Sequence, residues 1–274
     1  MTEISELPDA AKDFLLPYLP SRDTILAAPN RPHITLTYAC SLDSMISLAP
    51  GVRTTLSGPE TKSMTHYLRL KHDAILVGVG TAIADDPSLN CRYPGVSRDT
   101  QPRPFILDPS ARWNVADSKV RRLASEREGK SPSVIHSDAL FSEEQLDAMT
   151  SEGESDVPNA ERVFVRGGHS TDSSVTVQPR HIDWLDLLRV LKRRGVNSMM
   201  IEGGATIIND LLQHPDLVDS VIITIAPTWL GQGGVTISPS PQVKNGERVN
   251  AANLHQTSWR QFGSDAVLCG RLTR

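Results

Sequence analysis

Ala74-Ile75-Leu76-Val77-Gly78-Val79-Gly80-Thr81 decides the fold class. A short, continuous apolar run with β-branched residues and no polar alternation marks a strand covered on both faces, the habit of parallel sheets. The run ends in glycines, as expected where a strand turns at a sheet's carboxyl edge. Just upstream, Ser57-Gly58-Pro59-Glu60 reads as a capping box with proline in the first turn, opening a helix that runs to about Lys71. That helix should turn Met64, Tyr67, Leu68 and Leu70 inward. Before it, His33–Cys40 is β-branched and alternating, the pattern of another strand. Strand, helix and strand in this order predict a right-handed parallel crossover.

Downstream, short strands are expected at Pro104–Leu107, Ser133–His136 and Arg162–Arg166. Asp183 caps an amphipathic helix carrying Trp184, Leu187, Leu188 and Leu191, which ends at Gly195. Ser198–Glu202 then reads as a strand, Ala205–Gln213 as a helix and Ser220–Ala226 as a strand. Ala266–Gly270 closes the chain as a strand antiparallel to the sheet edge. Residues 1–30 hold four prolines and form an N-terminal extension with room for one short helix before Pro17. Residues 31–274 make a single α/β domain, interrupted by a polar insertion around 142–160. The sheet is predicted to be mixed and largely parallel, flanked by helices.

Composition narrows the chemistry. The chain has 274 residues, 39% hydrophobic and 22% charged, with a formal net charge of −4. That balance opposes a nucleic-acid or anionic-membrane surface. No stretch approaches 18 consecutive apolar residues, and no leader pattern opens the chain, so a cytoplasmic enzyme is expected. Cys40, Cys91 and Cys269 lack CxxC spacing, which argues against a disulfide framework or a zinc cluster. No HExxH, nucleophile elbow, GxGxxG or GxxxxGK[ST] occurs, and no metal site is expected. His66 and His72 read as lying on or beside a surface-facing helix stretch and carry no signal.

Three features remain. Glycine clusters follow predicted strands at Gly78–Thr81, Gly203–Thr206 and Gly231–Gly234. Each is either a tight turn or a place where backbone amides reach a phosphate. Thr81, Asp85 and Arg92 lie just beyond the buried strand, in a stretch that serves as a simple turn or as ligand contacts. Glu202 ends a Met-Met-Ile strand and either caps the next helix or holds a polyhydroxylated ligand.

Ser41-Leu42-Asp43, Leu56-Ser57-Gly58, Leu76–Thr81 with Ala84-Asp85-Asp86-Pro87-Ser88-Leu89, and Glu202-Gly203-Gly204-Ala205-Thr206, in that order and spacing, resemble the riboflavin-biosynthesis reductases. The likeness covers roughly residues 32–274. It is strongest to the stand-alone fungal and archaeal form, and extends to the C-terminal half of the bacterial bifunctional deaminase-reductase. It implies a dihydrofolate-reductase-like fold, NADPH as cofactor, and a homodimer. It implies hydride transfer to C1′ of the ring-opened imine of 2,5-diamino-6-(ribosylamino)-4(3H)-pyrimidinone 5′-phosphate. Under that resemblance, Thr81, Asp85, Gly203, Gly204, Ala205, Thr206 and Ile207 contact the cofactor. Ser57, Arg69, Leu89, Arg92 and Glu202 hold the substrate, with the arginines suited to its 5′-phosphate. Asp85 or Glu202 would steady the cationic imine. The first loop departs from the pattern: Ser44 and Met45 stand where Gly-Lys is usual, and a left-handed turn would cost Ser44 energy. No zinc deaminase motif precedes the reductase region. Two other functions fit less of the sequence: a dihydrofolate-reductase-like enzyme for another pterin or pyrimidine, and a non-catalytic nucleotide-binding module.

Overall fold

The structure, a computed structural model, describes residues 4–138, 160–165 and 182–273. The expected polar insertion lies almost wholly outside these residues. The sheet is built around β1 (His33–Cys40), β3 (Ala74–Gly78) and β7 (Ser198–Gly203). β1, β3 and β7 bury nearly every side chain at the centre. β4 (Arg103–Leu107), β5 (Ser133–Ser137) and β6 (Glu161–Val165) extend the sheet on one side of β3. β8 (Ser220–Ile225), β13 (Asp265–Leu272) and β12 (Leu254–Phe262) extend it beyond β1. The nine strands run in the order β12-β13-β8-β1-β7-β3-β4-β5-β6. All pairs from β8 to β6 are parallel, and β13 and β12 are antiparallel. The sheet is therefore mixed and largely parallel, as the buried apolar runs predict.

Helices cover both faces: α3 (Pro59–Leu70), α4 (Val79–Asp85), α5 (Lys119–Ser125), α6 (Trp184–Arg193) and α7 (Ala205–Leu211). Trp184, Leu187, Leu188 and Leu191 of α6 are buried as its periodicity requires, and Asp183 Oδ1 accepts the Asp186 amide at 2.8 Å. These side chains join Ile34, Leu36, Leu76, Met199 and Ile201 in the largest core cluster. The opposite face is closed by α3 and by the N-terminal segment. That segment forms α1 (Asp9–Leu15), a 3₁₀ turn and α2 (Arg22–Ala27), more helix than its prolines suggest. Leu7, Ala11, Leu15, Tyr18 and Leu19 pack with Met64, Tyr67, Leu68 and Met200. The extension is thus a lid on the core.

Three sequence expectations need correction, and one strand carried no signal. The strand at Ala74 ends at Gly78, and α4 begins at once with Val79. The helix at Ser57 has Gly58 as N-cap with no side-chain cap from Ser57. Asp265, far away on β13, does that work: its Oδ2 accepts Gly58 N at 2.8 Å and Thr61 Oγ1 at 2.5 Å. His66 and His72 are buried, not surface-facing. Finally, the closing strand is half of a hairpin whose other strand, β12, had no clear signal, because its side chains are mostly exposed.

Candidate functional site

The chain leaves β3 toward β4 and leaves β7 toward β8, in opposite directions across the sheet. Neighbouring strands whose connections diverge open a crevice at their carboxyl ends, where open α/β sheets place ligands. Gly78–Thr81, Glu202–Thr206 and the loop after β1 meet there.

The glycines have steric reasons of their own. Gly203 has φ +50°, and a Cβ there would lie 2.5 Å from Ile208 Cγ1. A Cβ on Gly204 would meet Thr81 Oγ1 at 2.8 Å, and one on Gly78 would meet Ile207 Cδ1 at 2.9 Å. Thr81 Oγ1 donates to the Gly203 carbonyl at 3.1 Å, tying α4 to the β7–α7 turn. Gly80 faces open space. No side chain caps α7, so the amides of Ala205, Thr206 and Ile207 keep their donors. Ile207 itself is buried, which leaves its backbone, not its side chain, for a ligand.

Glu202 occupies an irregular step. Leu76 pairs Ile201 and Val77 pairs Gly203, so Glu202 is left without a partner on β3. Such a bulge re-aims one side chain at a sheet's edge. Glu202 meets Arg69 from the end of α3 in a two-pronged pair, Nε–Oε1 2.7 Å and Nη2–Oε2 2.7 Å. Arg69 Nη1 donates to the Asn90 carbonyl at 2.9 Å. Burial lowers the Arg69 pKa, but the Glu202 charge outweighs it and the net shift is upward. Two residues expected to hold the substrate therefore hold each other, as a planar arginine–carboxylate fork.

The Asp85 side chain, at the end of α4, has no hydrogen bond or ion pair among the described residues. Burial pushes its carboxyl pKa up, and the Arg53 charge opposes that. Ser57 is half-buried beside the α3 N-cap. Leu89 is fully buried with φ +52°, so only its backbone faces a ligand. Arg92 is exposed and packs on His66 of α3, one turn before Arg69. The segment is clamped to α3 and its surroundings: Cys91 Sγ donates to the His66 carbonyl, and Gln101 bonds the Cys91 backbone on both sides.

Asp43 was quoted in the sequence motif without a role. Its carboxylate accepts Ser41 Oγ, Gly231 N at 2.8 Å and Leu230 N at 3.1 Å. Those bonds, Ser41 first and Gly231 next, pull its pKa down to about 2. Asp43 thereby locks the loop after β1 onto the loop after β8. β2 (Met45–Ser47) continues this by pairing β9 (Val235–Thr236). Local spacing offers no hint of a partner 188 residues away. No group of three or more metal-binding side chains gathers among the described residues.

Known proteins share this arrangement. The family model described as the RibD C-terminal domain matches residues 32–268. A Debaryomyces hansenii protein named 2,5-diamino-6-ribosylamino-4(3H)-pyrimidinone 5′-phosphate reductase is 39% identical over 97% of this chain and 98% of its own. The Saccharomyces cerevisiae protein of the same name is 38% identical over 98% of each. A solved riboflavin biosynthesis reductase from S. cerevisiae superposes with a TM-score of 0.72 at 37% identity, covering 96% of this chain and 99% of that one. With matches of this extent to sequence and fold alike, the chain belongs to the RibD C-terminal domain family.

Proposed function

We propose that this protein reduces 2,5-diamino-6-(ribosylamino)-4(3H)-pyrimidinone 5′-phosphate to the ribitylamino product, using NADPH. One observation carries the reading: near-complete, 38–39% identical coverage by proteins named for that reaction. The crevice fits a nicotinamide dinucleotide in its donor set. Open amides at Ala205–Ile207 and the glycine-lined turns at Gly78–Gly80 and Gly203–Gly204 suit its phosphates, with Thr81 and Asp85 beside them. When bound, the cofactor supplies the hydride.

The chain's own residues supply alignment and charge. The Arg69–Glu202 fork fixes the substrate side of the crevice and presents the remaining Glu202 lone pairs to sugar hydroxyls. Arg92 offers a permanently charged donor to the 5′-phosphate. Of the two carboxylates, Glu202 is neutralised by Arg69. Asp85 carries no such partner, so Asp85 is assigned to steady the cationic imine at C1′. Cytoplasmic action and a homodimer belong to the same proposal; the edge strand β12 with its exposed Trp259 offers the dimer a surface.

Following NADPH absorbance with enzymatically generated ribosylamino substrate tests the reading. Oxidation should require that substrate and should not occur with dihydrofolate. Arg92→Ala should raise the apparent KM by about tenfold or more. Asp85→Asn should slow single-turnover reduction by about a hundredfold. Turnover of dihydrofolate in place of the sugar phosphate would overturn the assignment.

A further inference from the structure

His66 lies outside the stretches quoted for the family resemblance, and its ring geometry has a consequence. Its Nδ1 accepts the Arg92 backbone N–H at 3.0 Å. A neutral imidazole carries one proton, so that proton sits on Nε2. Arg92 Nη2 lies 3.2 Å from Nε2. A guanidinium only donates, so this close pair is two donors facing each other and not a hydrogen bond. Full protonation gives no relief, since Nδ1 is already an acceptor. Burial first, then the Arg69 and Arg92 charges, holds the ring pKa down to about 3. Two convergent N–H groups, one of them on a permanently charged guanidinium, are complementary to a single anionic oxygen.

We infer that His66 Nε2–H and the Arg92 guanidinium form one fork that binds a phosphate oxygen of the sugar-phosphate substrate. The inference rests on the proposed role of Arg92 and adds a residue to it. His66 then does two jobs with two nitrogens: Nδ1 fixes the Arg92 backbone, and Nε2 touches the ligand.

Two amide variants separate these jobs. In H66N the side-chain oxygen replaces Nδ1 and the distal donor is lost; in H66Q an amide N–H returns near the Nε2 position. The probes are the substrate itself and ribose 5-phosphate as a dead-end inhibitor, with ribose as control. H66N is expected to raise the substrate KM and the ribose 5-phosphate Ki about tenfold, as loss of one hydrogen bond to a charged group would. The loss should fall on KM more than kcat, and H66Q should recover most of it. In long-range ¹H–¹⁵N spectra of the full chain, ribose 5-phosphate should shift the His66 Nε2 resonance while ribose does not. If Arg92→Ala raises both constants and H66N raises neither, the His66 inference is wrong and the Arg92 reading stands. If neither variant moves them, the phosphate sits elsewhere and the Arg92 reading itself fails. A fall in kcat and in melting temperature with unchanged KM and Ki would make His66 purely structural.

Discussion

Ser44 sits in the left-handed region at φ 61°, the conformation that suits glycine. A side chain there costs about 1 kcal/mol or somewhat more. The turn is imposed from outside: Ser44 N donates to the Ser41 carbonyl, Ile237 N donates to the Ser44 carbonyl, and Asp43 is held by Gly231. Ser44→Gly should therefore raise stability in urea by about 1 kcal/mol, offset in part by the freer unfolded chain. The Arg69–Glu202 fork makes a sharper prediction. Side-chain exposures are 11% and 19%, so removing either partner strands a nearly buried charge. Glu202→Gln should cost about 3 kcal/mol by denaturant titration. Replacing both residues with methionine should restore much of that stability without restoring activity. Recovery of activity in the double variant would show the pair to be scaffolding alone.

α3 shows how an element can look self-sufficient and not be. Ser57 and Glu60 have capping-box spacing, yet the amide at the helix entrance and the Thr61 hydroxyl both go to Asp265. Asp265 stands at the β12–β13 turn, where Gly263 has φ +60° and a Cβ would strike the Glu60 carboxylate. Glu60 lies against that turn, and with Gly58 rather than Ser57 as N-cap it closes no box with Ser57. Asp265→Ala should cost about 1–2 kcal/mol, the range for a lost N-cap, and should loosen Ser57 at the site. Hydrogen exchange of the first turn of α3 would register it. The β7–α7 turn makes the companion case. Gly204→Ala would push Thr81 Oγ1 from a 2.8 Å position, and should weaken cofactor affinity more than it lowers stability.

The α3 side of the sheet is packed around buried, neutral histidines, and these contribute to the acid response of the molecule. His72 Nδ1–H donates to the Leu68 carbonyl at 2.7 Å, so Nε2 accepts from Thr35 Oγ1 at 2.8 Å. Burial holds its pKa down to about 4, and that of His66 to about 3. The unfolded chain protonates both near 6.5. Their contribution is therefore complete above about pH 6.5 and is lost as the pH falls toward the folded values. Each histidine should contribute a slope of about 1.4 kcal/mol per pH unit in that window. Unfolding curves between pH 7 and 4 should show this fall, and His72→Gln should flatten it. An unchanged slope in that variant would place the acid sensitivity elsewhere.

The sequence alone determined the strands and helices whose side chains follow one period: the buried run at Ala74, the α6 stripe, and the β1–α3–β3 crossover. Burial on one face or two leaves a local signature, so these were legible, as were the glycine turns and the ordered motifs of the family. Only the tertiary structure decided what meets across distance. Asp265 capping α3, Asp43 joining two loops, Glu202 committed to Arg69 and His66 turned toward Arg92 all pair residues 26 to 207 positions apart. Hydrogen bonds and ion pairs depend on contact geometry and leave no periodic trace in the chain. The exposed edge strand β12 escaped notice for a related reason: a strand that buries little has little pattern to show.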